Sequence, residues 1–546
     1  MSNTLISRTA SAYDYPLIIK NLFLAPAVEN PQQEIIYRDQ YRFTYRDFRS
    51  RVHRLANALT SLGVKPGDTV AIMDWDSHRY LECFYAVPML GAVLHTVNVR
   101  LSPEQIIYTI DHAEDDFLLV NSEFLPIIEQ IKGRIDTVKG IVLLSNEATR
   151  PQTNVPFMGE YEDLLTAAPD HFPFADFDEN TRATTFYTTG TTGMPKGVYF
   201  SHRQLVLHTL GTITALATSA HQGRFHQQDV YMPITPMFHV HAWGFPYIAT
   251  TVGVKQVYPG KYAPATLLQL IAKEGVTFSH CVPTIMHMLM ACPDFIKTDL
   301  TKWKVIIGGA ALPKKMCQAA LARGIDIFSG YGMSETCPVL SLAHIGNQEL
   351  TDAMEVDIRC KTGRPLPLVQ LRVVDQEMAD VAKDGTAVGE IVVRAPWLTQ
   401  GYWKDSRNSE NLWRNGYLHT GDVAQINPDN YINITDRMKD VIKIGGEWLS
   451  SLELEDIINL HPAVSEVAVI GMADDKWGER PLALIVLKAD AKKPDLKEFV
   501  NHVKAFIDKG LLNKLGLLLQ VQFVETIDKT SVGKINKKLL REKHLR

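Results

Sequence analysis

Residues 265–276 (ATLLQLIAKEGV), 277–282 (TFSHCV), 304–309 (KVIIGG) and 326–330 (DIFSG) decide the fold. The first is a helical pattern and the other three are short apolar runs of strand length. A helix separates 277–282 from 304–309, and a further helix leads to 326–330. Strands alternating with helices of about 10–15 residues imply a parallel sheet with crossover helices. Ligands of such sheets gather beyond the carboxyl ends of the strands. Two strand exits here are of that sort: KVIIGG runs into Gly308-Gly309-Ala310-Ala311-Leu312-Pro313, and DIFSG runs into Tyr331-Gly332.

The same alternation extends upstream. An amphipathic helix over 44–62 precedes a strand at 68–73, a helix over 78–90 precedes AVLHTV, and a helix over 103–112 precedes FLLVNS. Downstream of about 365 the texture changes to short strands and turns: LVQLRVVD, GEIVVR, GYLHTGDVAQI and NYINITD. That is an antiparallel or barrel-like section. After Asp436 a helix near 451–460, strands VSEVAVIGM and LALIVLK, and a helix near 495–509 form a compact α+β unit of ordinary domain size. The expected class is therefore α/β. A large N-terminal domain over 1–435, made of two α/β subdomains and the barrel-like section, is followed by a small α+β C-terminal domain over 441–546.

Composition agrees with a large enzyme. At 546 residues the chain exceeds what one core supports. The apolar fraction of 46% and charged fraction of 21% are ordinary. A net charge of −5, from 56 basic and 61 acidic residues, gives no reason to expect nucleic acid as a partner. Cys83, Cys281, Cys292, Cys317, Cys337 and Cys360 have no CxxC spacing and read as reduced thiols of a cytoplasmic protein. No signal peptide is expected at the N-terminus, and no apolar run reaches the ~18 residues of a membrane span.

The chemistry concentrates in Tyr187-Thr-Thr-Gly-Thr-Thr-Gly-Met-Pro-Lys-Gly197, which holds four Thr, three Gly and one Lys. Glycines let backbone curl around a ligand, hydroxyls and N–H groups donate, and Lys196 adds a point charge. The stretch reads as a polyphosphate cradle. It is not a Walker loop, because Pro195 precedes the lysine and Gly197 follows it, where a Ser or Thr and a helix would be needed. Glu335 in Tyr331-Gly-Met-Ser-Glu-Thr336 offers a carboxylate suited to Mg²⁺ beside substrate phosphates. Asp422 follows a glycine in Leu418-His-Thr-Gly-Asp422, where a carboxylate can accept both hydroxyls of a ribose. Asp436-Arg-Met-Lys-Asp440 places four charges where the texture changes. Lys534 stands apart from the solvated lysines of the tail in the turn SVGKIN.

YTTGTTGMPKG, PMFHVHAWG, GGAALP, YGMSET, YLHTGD, DRMKDVIKIGGEW and SVGKINKK occur in the order and spacing seen in the acyl-adenylate-forming superfamily. The resemblance covers nearly the whole chain. PMFHVHAWG and GGEW resemble most the medium- and long-chain fatty acyl-CoA synthetases, whose relatives include ligases for short thioether acids such as methylmercaptopropionate. The resemblance implies two steps: a carboxylic acid attacks ATP to give an acyl-adenylate and pyrophosphate, then coenzyme A takes the acyl group and releases AMP.

It also implies roles. Thr188, Thr189, Gly190, Thr191, Thr192, Gly193 and Lys196 would hold the β- and γ-phosphates, with Thr188 and Glu335 on Mg²⁺ and Thr336 on the α-phosphate. Gly309, Ala310 and Tyr331 would flank adenine, with Gly330 and Gly332 also in the cofactor-binding set, Asp422 would bind ribose, and Arg437 would contact ribose or phosphate. Residues 436–440, with Lys439 at the pivot, would form a hinge for a mobile C-terminal domain. Lys534 would serve adenylation, while Lys443, Glu447 and Trp448 would face the site for the coenzyme A step. Phe238, His239, Val240, Trp243, Gly308 and Ala311 would line the acyl pocket, His239 at the carboxylate end and Trp243 as the tunnel gate. His241 reads as a polar loop residue and Cys337 as a packing residue.

A ligase that loads a carrier protein would carry an extra insertion, and no surplus segment separates the motifs. A luciferase-like oxygenase would need a specialised pocket. A non-catalytic relative would be expected to have lost Lys196, Glu335 or Lys534. A medium-chain fatty acid is the expected substrate, with a carrier-loading ligase or a short thioether acid as alternatives and a homodimer left open.

Overall fold

The computed structural model describes residues 6–146, 151–188, 194–220, 222–346, 350–445, 447–489, 491–509, 512–530 and 535–545. The alternation over 265–330 becomes the middle of a nine-stranded sheet, in which Phe278–Cys281, Lys304–Ile307 and Asp326–Gly332 lie side by side in parallel. Its helix Pro264–Glu274 begins with a proline, whose fixed φ suits a first turn. It ends at Gly275, with φ +67° in the left-handed region that closes helices. Leu267, Leu268, Leu270 and Ile271 are its buried face. Antiparallel strands close both edges of this sheet.

The upstream alternation forms a second sheet of seven strands, in the order Gly159–Glu160, Gly140–Leu144, Asp115–Asn121, Thr69–Met73, Val93–Thr96, Arg182–Thr188, Lys196–Ser201. Every residue of Thr69–Met73 is buried, as expected of a parallel strand covered on both faces. Helix Tyr45–Ser61, which buries Phe48, Val52, Leu55 and Leu59, packs against helices His78–Met89 and Tyr161–Ala167. Thr44 and Asp47 form its capping box.

Gln370–Val374, Val388–Arg394, Trp413–Arg414, Tyr417–Ile426 and Ile432–Arg437 make the barrel-like section, all antiparallel. The last unit pairs Val464–Asp474 with Gly478–Leu487 and packs its own core around Ile442, Leu454, Val469, Ile485 and Phe499. It is tied to the rest where Ser451 N donates to Asp436 Oδ2 (2.5 Å) and Lys315 Nζ donates to the Leu460 carbonyl (3.1 Å). The α/β class expected from the sequence is thus the fold observed. Among the described residues no helix is long and apolar enough to cross a membrane.

Candidate active site

The cradle sits on a β-hairpin. Arg182–Thr188 and Lys196–Ser201 pair antiparallel, with Tyr187 opposite Gly197 and Thr188 opposite Lys196. No helix opens after Lys196, so the departure from a Walker loop read from Pro195 and Gly197 is a difference of architecture. Thr189, Gly190, Thr191, Thr192 and Gly193 lie outside the described residues. The root is held from below, where the Tyr187 hydroxyl bonds His112 Nδ1 (2.8 Å) and Trp403 N donates to the Gly197 carbonyl (2.8 Å).

One residue the sequence did not single out joins the cradle to Glu335. Lys196 Nζ stands 4.6 Å from the ring centroid of Tyr402, whose hydroxyl donates to Glu335 Oε1 (2.7 Å). Burial, then the Glu335 charge, push the Tyr402 phenol well up, so it stays a donor. A carboxylate fixed in this way suits a hard cation that takes few protein oxygens and completes its shell with phosphate and water. Among the described residues no cluster of three or more His, Cys, Asp or Glu forms a closed metal site. Thr188 is half-buried at the strand end across from Lys196. Thr336 is fully buried, and its hydroxyl bonds Met333 and Pro338 within its own turn.

At the adjacent strand exit the structure joins three separate motifs. Asp422, 5% exposed, accepts from the Tyr331 hydroxyl at Oδ2 (2.7 Å) and pairs with Arg437 Nε at Oδ1 (3.2 Å). Asp422 and Arg437 are cross-strand partners, so strand register itself sets this pair. The Asp422 charge raises the Arg437 guanidinium further, and burial with Asp422 holds the Tyr331 phenol well above its usual range. A carboxylate held by two donors, with lone pairs remaining, can accept a vicinal diol. Gly332 makes the turn possible, because a Cβ there would fall 1.9 Å from the Pro338 carbonyl oxygen.

Next to Tyr331 lies a narrow cavity of about 40 Å³, lined among others by His239, Val240, Trp243, Gly308, Gly309 and Gly330. Trp243 covers Gly308, so that a Cβ on Gly308 would meet its ring at 2.9 Å. Two expected wall residues lie elsewhere. Phe238 packs in the core beneath Arg100, and Ala311, like Ala310, is exposed on the loop beyond the strand.

The turn that delivers Trp243 is unusual. Val240, His241, Ala242 and Trp243 have φ of 49°, 55°, 46° and 58°, a left-handed turn of four non-glycine residues that Gly244 completes at 75°. Such residues cost roughly 1–2 kcal/mol each. His241 corrects the sequence reading. It is wholly buried against Phe84, Phe186 and Phe200, not a polar loop residue. Among the described residues neither of its ring nitrogens has a hydrogen-bond partner, and burial pushes its pKa down to about 3. Cys337 is buried too, its thiol pushed well up, which fits packing.

The hinge motif lies against this site through Arg437. Lys439 is lowered by burial and by the Arg437 charge, and Asp440 pairs with Arg541 of the C-terminal helix (2.8 Å). Lys443 is exposed on strand Ile442–Ile444, across the hairpin from Trp448 in Glu447–Leu449. The side chains of Glu447 and Trp448, and Lys534 as a whole, lie outside the described residues.

A family model described as AMP-binding enzyme matches residues 23–403, and one described as AMP-binding enzyme C-terminal domain matches residues 453–534. The chain is similar to the long-chain-fatty-acid–CoA ligase of Thermus thermophilus, 39% identical over 94% of this chain and 93% of that protein. It is 37% identical to the medium-chain-fatty-acid–CoA ligase of Ectopseudomonas oleovorans, over 92% of this chain and 91% of that one. It is 36% identical to the 3-methylmercaptopropionyl-CoA ligase of Ruegeria lacuscaerulensis, over 96% and 97%.

Proposed function

The chain belongs to the AMP-binding enzyme family and is an AMP-forming acyl-CoA ligase, and from that premise we propose that its acid is a medium-chain saturated fatty acid, about C6–C12. Its substrates are a carboxylic acid, ATP and coenzyme A. The observation that carries the substrate reading is the cavity beside Tyr331, which Val240, Trp243, Phe245 and Ile306 help to line and where the indole of Trp243 lies over Gly308. A wall of that size is a device for measuring chain length. Names of relatives divide among long-chain, medium-chain and short thioether acids.

In the first step a carboxylate oxygen attacks the α-phosphorus and the bond to pyrophosphate breaks. Both reactants are anions, so the barrier falls through positioning and through positive charge aimed at the phosphoryl oxygens. Lys196 and the hairpin loop hold the β- and γ-phosphates, Asp422 the ribose, Tyr331 the base, and His239 the carboxylate end of the acid. Glu335, oriented by Tyr402, would hold Mg²⁺, which would neutralise phosphate charge. Lys534 supplies charge at the α-phosphate. In the second step the coenzyme A thiol loses its proton, attacks the acyl carbon and expels AMP. The unit over 441–546 turns about 436–440 between the steps, bringing Lys443, Glu447 and Trp448 to the pantetheine path. Six unpaired cysteines support a cytoplasmic location.

Pyrophosphate release with octanoate tests the reading. Release in a single turnover without coenzyme A, and stoichiometric AMP with it, is expected. Transfer to a carrier protein but not to coenzyme A would favour the carrier-loading alternative.

Two substitutions test the parts. Tyr402→Phe removes one bond to Glu335 and should weaken use of Mg·ATP by about 0.5–1.5 kcal/mol. The acid dependence should not change, and an unaltered KM for Mg·ATP would remove Tyr402 from the site. Trp243→Ala should flatten chain-length preference, each methylene step changing by roughly 1–3 kcal/mol at most. A preference curve superimposable on that of the parent enzyme would mean the indole is no wall.

A further inference from the structure

The geometry points to His280 as the residue that holds Trp243 closed over Gly308 and so sets how long an acid the pocket admits. This rests on reading that cavity as the acyl site. His280 lies on Phe278–Cys281, wholly buried, and is not among the cavity-lining residues. Its imidazole is fixed at both nitrogens: Nε2 bonds the Tyr231 hydroxyl (2.8 Å) and Nδ1 bonds Thr235 Oγ1 (3.1 Å). A ring pinned at two points in its own plane is a rigid platform. Trp243 lies on it, ring centroids 5.0 Å apart and planes 29° apart, and Phe245 stacks on it as well at 4.8 Å and 29°.

Two features of the same turn oppose that closed position. Four successive non-glycine residues, Val240 to Trp243, are held in left-handed backbone. His241, one of the four, is buried with neither nitrogen bonded among the described residues. Both burdens belong to the turn in this conformation. The core packing of His241 against Phe84, Phe186 and Phe200 holds the start of the turn, and the stack on His280 is the aromatic contact that holds its Trp243 end. A chain reaching past Gly308 must displace the indole from the imidazole. His280 acts through Trp243, so it is a positioning residue for specificity.

The test is a chain-length profile of kcat/KM for wild type, His280→Ala, Tyr231→Phe, Trp243→Ala and the double variants, with acetate, butyrate, benzoate and 3-methylmercaptopropionate included. His280→Ala should raise the hexadecanoate-to-octanoate ratio by about tenfold or more. Tyr231→Phe, which only loosens the ring, should shift it a few-fold in the same direction. KM for ATP and kcat with the short acid butyrate should stay within about twofold, a split that general destabilisation would not give. In the Trp243→Ala background neither change should add anything. If His280→Ala does not fold, Tyr231→Phe alone and with Trp243→Ala decides. Unmoved profiles, or shifts that persist without Trp243, overturn the latch. A wild-type preference for benzoate or acetate would refute the fatty-acid reading instead, and the latch would still be judged by whether the variants accept longer acids than wild type does.

Discussion

Lys534→Ala is expected to slow acyl-adenylate formation by about 10²–10³, the usual loss when one preorganised charge donor is removed from a developing phosphoryl charge. Thioester formation from supplied acyl-AMP should be nearly unchanged. The asymmetry follows from the proposed rotation about 436–440, in which Lys534 would serve only the orientation used for adenylation. Hinge motion of this kind often limits turnover, so the two half-reactions must be measured apart. Pyrophosphate release under single-turnover conditions reports the first, and AMP release from synthetic acyl-AMP and coenzyme A reports the second. Equal impairment of both would refute the two-orientation account.

Asp422→Ala should weaken ATP binding by roughly 1.5–3 kcal/mol, the range for hydrogen bonds to a charged group. The proposed ribose contact is only part of what the carboxylate holds. Its removal leaves the buried Tyr331 hydroxyl without its acceptor and Arg437 without its cross-strand partner, so the adenine side and the hinge lose a common anchor. Asp422→Asn keeps the shape and part of the bonding, and should fall between. The acid profile should be unaffected, since Trp243 and Gly308 are fixed by other contacts. Unchanged nucleotide affinity, measured by calorimetry with a non-hydrolysable ATP analogue, would show that this carboxylate does not meet the ribose.

Much of the architecture was legible because the alternation of helices with short apolar strands is dense between 265 and 330, and such spacing leaves few topologies open. The cradle was legible as something other than a Walker loop from the neighbours of Lys196 alone. The Asp422–Arg437 pair was visible as two charged motifs but not as a pair, because register between Tyr417–Ile426 and Ile432–Arg437 is a tertiary fact. Tyr402 was invisible: its partner Glu335 is 67 residues away, and a tyrosine between Gly401 and Trp403 carries no local sign of a role. His280 was hidden inside a strand pattern where it read as one more buried residue. Nothing in Val240-His-Ala-Trp243 announces left-handed backbone, since glycine follows the run instead of forming it. That is where the reading of His241 as a polar loop residue failed. Burial there is dictated by the aromatic rings that three distant segments bring around it.

The central claim is that an AMP-forming ligase with a cavity closed by Trp243 prefers a medium-chain fatty acid. The most direct measurement is kcat/KM for coenzyme A ligation across saturated acids from C3 to C18, with 3-methylmercaptopropionate and benzoate in the same series. A maximum between about C6 and C12, falling on both sides in steps of the size one methylene contributes, is the predicted result. Acetate, benzoate or 3-methylmercaptopropionate exceeding octanoate tenfold or more would contradict it.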